Sequence, residues 1–146
     1  MRSTLDWLVG HPMVEIRKWD DPGLERVGVD ARHGYVETYW LPILGPSAVL
    51  AARRFTDLLD RYPAGVTVEL VEFGASLGIG AGTGRNTQIN RTLARLVSFG
   101  FARTRGDHLE VRTTFPAVPM SLRRRLPLSL QDALDDQDRL HQACPP

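Results

Sequence analysis

Between residues 83 and 112 the apolar positions change their period. Ile89, Leu93, Leu96 and Val97 fall at i, i+4, i+7 and i+8, one stripe on a 3.6-residue repeat, which predicts a helix over 86–99. Advancing about 100° per residue puts Gln88, Arg91, Arg95 and Ser98 on the face opposite the stripe. Asn86 or Thr83 is expected to cap the start, because a short side-chain oxygen accepts an otherwise orphaned backbone N–H there. Gly100 stands where a left-handed helix stop is expected. Beyond it, 101–105 and 108–112 flank Gly106 and Asp107, which predicts a β-hairpin over 101–112.

Upstream, Ala48, Ala51, Ala52, Phe55, Leu58, Leu59 and Tyr62 keep one face apolar and predict a helix over 46–62. Pro46 suits its first turn, and Pro63 and Gly65 stop it. A shorter helix is expected over 69–77, with Val66, Val68 and Leu70 adding a small strand just before it. The glycine-rich link 78–84 then leads into the helix at 86. Residues 1–34 are the least regular, yet Leu5, Trp7, Leu8, Met13, Val14, Ile16 and Trp19 are too apolar for a solvated tail. They are expected to form an arm packed on the domain or on a partner. Tyr39, Trp40, Leu41, Ile43 and Leu44 are expected in the core or at a dimer contact. No basic residue interleaves with them, as a base-stacking platform needs. After the hairpin, Pro116 and Pro119 break regular structure, and Arg123, Arg124 and Arg125 read either as phosphate contacts or as an exposed helix face. A last helix is expected over 129–142, capped by Ser129. It would carry Leu130, Ala133, Leu134 and Leu140 on one side and Asp132, Asp135, Asp136 and Asp138 on the other.

Three helices and a basic hairpin, joined through Leu93, Leu96, Val97, Gly100 and Phe101, resemble the winged helix-turn-helix proteins, a group of bacterial DNA-binding transcription regulators. The resemblance covers 46–115, and departs from that motif in a seven-residue link where a tight turn is usual. It implies an α+β fold: a three-helix core plus a β-hairpin wing over 46–115, an N-terminal arm over 1–45, and a C-terminal basic segment and helix over 116–146. It further implies that the third helix enters the major groove of double-stranded DNA while the wing lies on the backbone or adjacent minor groove. On that reading Gln88, Arg91 and Arg95 face the bases, arginine suiting guanine and glutamine adenine. Thr87 and Asn90 flank them, Arg85 meets a phosphate near the helix start, and Arg103, Arg105, His108 and Arg112 make up the wing's contacts. Strand alternation puts Arg103 and Arg105 on one side as a pair.

Charge sharpens this picture. The net charge is +1, but nine arginines against Asp107 and Glu110 give residues 85–125 a charge of +7, leaving −6 elsewhere. Such sorting along a chain points to a surface that faces a polyanion. Catalytic and cofactor chemistry find little to use. The glycine-rich link lacks the Lys-Ser/Thr of a phosphate loop, and Thr83 stands where a dinucleotide fingerprint needs its last glycine. The four histidines (11, 33, 108 and 141) are scattered without metal-ligand spacing, and Ser47, Ser76 and Cys144 have no general base in sequence reach. No enzyme activity, cofactor or metal is expected. The single cysteine excludes an intrachain disulfide, and with no apolar run of membrane-spanning length and no signal-peptide pattern a cytoplasmic, nucleoid-associated protein is expected. The apolar surplus at 39–44 and on the last helix predicts a homodimer, its two recognition helices about one DNA turn, ~34 Å, apart. The alternative is a winged-helix interaction module whose basic face binds an acidic protein, or an RNA-binding or replication-associated variant.

Overall fold

The computed structural model describes residues 3–80 and 82–143; Cys144 and the side chain of His141 lie outside the described residues. The chain is a mixed α+β fold. It runs through α1 (Thr4–Val9), β1 (Met13–Lys18), α2 (Pro22–Val27), β2 (Val29–Asp30), a π-helical turn (Val36–Trp40), α3 (Leu41–Leu44) and α4 (Pro46–Arg61). Then come β3 (Val66–Glu69), α5 (Leu70–Ser76), α6 (Gln88–Ser98), β4 (Ala102–Arg105), β5 (His108–Val111), β6 (Thr114–Phe115), α7 (Met120–Arg123) and α8 (Leu128–Ala143). The helix, strand, helix, helix and hairpin expected over 46–112 are present with ends shifted by a few residues.

The segment expected as an arm lies at the centre of the sheet. Strand order is β3-β1-β5-β4, with β1 antiparallel to β3 and parallel to β5. Val14 and Ile16 point inward and are fully buried, while Glu15 and Arg17 alternate with them and pair with each other at 3.0 Å. Leu8 of α1 is buried as well. The N-terminal residues therefore complete the core that the helices and hairpin share.

Residues 35–45 settle the choice between core and dimer contact. Tyr39, Trp40, Ile43 and Leu44 are all buried within the one chain. The Trp40 ring meets Phe101 and Phe115 edge-on at 5.0 and 6.0 Å, those two phenylalanines stack at 4.1 Å, and the Trp40 indole N–H donates to the Pro116 carbonyl. Pro42 explains the π-helical turn before it. Proline has no N–H and its ring crowds the carbonyl four residues back, so the ladder widens and the Leu41 N–H reaches Val36.

Three boundary expectations need correction. Tyr62 is exposed beyond the end of α4, because the chain turns at 62–65 toward β3. Ser129 lies inside α8, whose first turn is closed on the Pro127 carbonyl by the Leu130 and Gln131 N–H groups. On that helix Leu134 is buried but Leu140 is 68% exposed, because the helix runs past the edge of the domain. The apolar surface expected to drive dimerisation, 39–44 and most of the α8 stripe, is thus largely covered by the chain itself.

One close approach fixes how α2 meets the second sheet, where β2 pairs antiparallel with β6. A Cβ on Gly28 would stand 2.6 Å from the Phe115 carbonyl oxygen and 2.7 Å from the Thr114 methyl. Gly28→Ala is therefore expected to force β2 from β6 and destabilise the fold by about 1–3 kcal/mol, the usual cost of overpacking. Urea denaturation checks this, and a midpoint equal to the wild type's would show that the strand pair yields freely.

Candidate nucleic-acid interface

The position of α6 follows from its sequence. Thr87, and not Asn86 or Thr83, caps it: the Thr87 backbone is extended and its hydroxyl accepts the Asn90 N–H at 3.2 Å. The cap sits one residue after Asn86 because the link still turns at 84–86. Ile89, Leu93 and Leu96 are buried, Val97 is half-buried, and Gly100 ends the helix with φ +80°, the left-handed geometry expected of it. The stripe thus fixes the helix's rotation, and the opposite face is left to solvent. Thr87→Ala is expected to lower stability by about 0.5–2 kcal/mol. A thermal melt would show this, and an unchanged Tm would mean that another group caps α6.

The ten residues singled out by sequence divide into three sets. Gln88, Arg91 and Arg95 share the solvent side of α6 and line a hollow of about 320 Å³ with Gly45, Ser47 and Thr92. The Arg91 side chain is exposed and meets no carboxylate among the described residues. Arg95 keeps its charge uncompensated too, donating to the Ile43 carbonyl at 3.0 Å with its guanidinium 5.8 Å from the centre of the Phe99 ring. Arg125 approaches the same ring at the same distance, so it continues the basic strip from α6. The sequence alone does not separate Arg125 from Arg123 and Arg124. Arg123 goes the other way, held by Asp135 and Asp138 of α8.

Thr87 and Asn90 serve the helix itself. Asn90 is 5% exposed, and its amide N–H₂ donates to the carbonyls of Gly84 and Arg85, which tethers the end of the glycine-rich link. Placing Asn90 on the outward flank is therefore corrected. At 100° per residue it falls next to the buried stripe, and its amide is taken up by the backbone of the link.

Each of the remaining five has a carboxylate nearby. Arg85 donates to Asp6 at 2.8 Å and also to Ser3, and chiefly the Arg85 bond holds the Asp6 carboxyl below its ordinary pKa. Across the hairpin, Arg103 and Arg105 sit on one side as expected and both reach Glu110, at 3.1 and 3.2 Å, with His108 3.7 Å from the same carboxylate. Arg112 is bound to Asp21, and chiefly through that bond the Asp21 carboxyl lies below its usual range. The guanidinium groups of Arg103 and Arg112 also lie 4.1 and 3.8 Å from the centre of the Trp19 ring. The +7 of residues 85–125 is thus reduced in space by acids from distant parts of the chain. The uncompensated charge is concentrated on α6 and at 124–125.

The described residues contain no group of three or more His, Cys, Asp or Glu placed to hold a metal ion. No described helix is long and apolar enough to cross a membrane. Compared with known proteins, the chain matches no family model, no curated protein and no solved structure.

Proposed function

We propose that the chain is a winged helix-turn-helix protein that binds double-stranded DNA as a transcription regulator in the nucleoid, without enzymatic activity. One observation carries this reading: the solvent face of α6 presents Gln88, Arg91 and Arg95 together, free of acidic partners among the described residues, on a helix whose rotation is fixed by its buried stripe. The order α4, β3, α5, α6 and the β4–β5 hairpin is that of the motif, with β1 added between β3 and the hairpin. An 11-residue helix fits the major groove, where arginine and glutamine pair with base edges. Arg125 extends the strip toward the adjacent phosphates, and Arg105, whose side chain is more than half exposed, supplies backbone contact from the hairpin.

The neutralised hairpin favours a second reading for that element, a winged-helix module that binds protein. Arg103, Arg105 and Arg112 already have carboxylate partners, so a phosphate must compete with Glu110 and Asp21. A salt titration of the intact chain on random and selected duplexes separates the two. A log K that falls linearly with the logarithm of salt concentration, and tighter binding to a selected sequence, are expected. No binding to any duplex at low salt would replace the DNA reading with the protein one.

A further inference from the structure

Among the described residues no strand pairs with the outer edge of β3. The Leu70 N–H donates to the Pro12 carbonyl, and with Val68 opposite Val14 and Val66 opposite Ile16, the alternate residues 66, 68 and 70 turn their backbone groups toward β1. Thr67 and Glu69 must then point theirs away from the sheet, and both residues are exposed. Neither lysine nor proline guards this strand, the usual protection of an open edge.

Beyond the edge lies a groove of about 390 Å³ between β3 and α4. Leu58, Val66, Val68 and Phe73 make it apolar. Arg54 and Arg61 line it from α4, and Glu69 and Glu72 from β3 and α5. All four charged side chains are exposed, and none makes an ion pair among the described residues. An occupant must therefore bring an apolar strand together with charges of both signs in a fixed order.

We propose that the occupant is a second copy of this chain, joined antiparallel through β3 to make one continuous eight-stranded sheet. A two-fold axis beside Val68 would place Thr67 opposite Glu69 of the second copy and the reverse, so that the outward backbone groups of each strand satisfy those of the other. Val68 would then meet its own counterpart. The turn at 62–65 holds Arg61 beside the start of β3, where an antiparallel partner brings the end of its own strand and its Glu69. Each Arg61 thus gains a carboxylate that its own chain does not supply. This interface lies apart from the outward face of α6, so it stands whether or not that face binds DNA.

Light scattering on the intact chain across the micromolar range tests the assembly, with Arg61→Glu, Glu69→Arg and the double variant compared. The wild type is expected at dimer mass. Each single reversal sets like charges together and should raise the dissociation constant about tenfold or more, and the double variant should restore it. Hydrogen exchange gives an independent readout: the Thr67 and Glu69 amides should be protected in the dimer and exposed in the single variants. A wild type of monomer mass throughout would overturn the proposal, as would a dimer indifferent to all three variants.

Discussion

Leu96→Ala is expected to destabilise the fold by about 2–5 kcal/mol, the range for truncating a large aliphatic side chain in a packed core. Leu96 is 1% exposed and sits on the α6 stripe with Ile89 and the fully buried Leu93. Its backbone carbonyl also accepts the Phe101 N–H at 2.8 Å, so the residue stands at the junction of helix and hairpin. Little nearby can collapse into the space: Phe101 is stacked on Phe115 and held edge-on by Trp40. For a chain of this length the loss corresponds to a Tm lower by roughly 4–20 °C. Calorimetry on the variant measures it directly. An unaltered Tm would mean that the stripe faces solvent, and with it the assignment of Gln88, Arg91 and Arg95 to the outer face would fall.

The parts of the fold that were legible in the sequence are those with a strong local period. The stripe of α6, the apolar face of α4 and the glycine-bounded hairpin each announce themselves within a dozen residues, and burial follows the period closely. The N-terminal strand was not legible, although Val14 and Ile16 alternate with Glu15 and Arg17 as a half-buried strand should. Four alternating residues are a short signal, and the neighbouring Trp19 and the aspartates at 20 and 21 obscure its end. More decisively, β1 pairs with β3 and β5, some fifty and ninety residues away, and such pairing leaves no local trace.

Long-range pairing hides charge compensation in the same way. A sum along the chain counts Arg85, Arg112 and Arg123 as free, whereas folding brings Asp6, Asp21 and Asp138 to them across 79, 91 and 15 positions. The hairpin pairing was within reach of the sequence. A two-residue turn at Gly106 and Asp107 forces Arg105 opposite His108 and Arg103 opposite Glu110, and opposite charges in register attract. What survives this local neutralisation, Arg91 with Arg95 and Arg125, the last two meeting at Phe99, is a narrower candidate surface than the full set of basic residues and a more specific one.

If α6 reads bases while the hairpin only touches phosphates, the two sets of arginines should fail in different ways. Arg91→Ala removes an exposed side chain at the centre of the outward face, with no hydrogen-bond or ion-pair partner among the described residues to disturb. It should weaken binding to a selected duplex by about 1–3 kcal/mol, roughly 5- to 150-fold in Kd, and relax preference at one base position. Arg105→Ala should weaken all sequences alike and reduce the slope of log K against log salt by no more than about one unit. The Glu110 carboxylate limits that second effect, because it already claims the Arg105 guanidinium at 3.2 Å and must release it before a phosphate can bind. Salt titrations of the wild type and both variants, on random and selected duplexes, separate a change in slope from a change in preference. Equal losses on both kinds of duplex for Arg91→Ala would assign α6 to the phosphates and leave the bases unread by it.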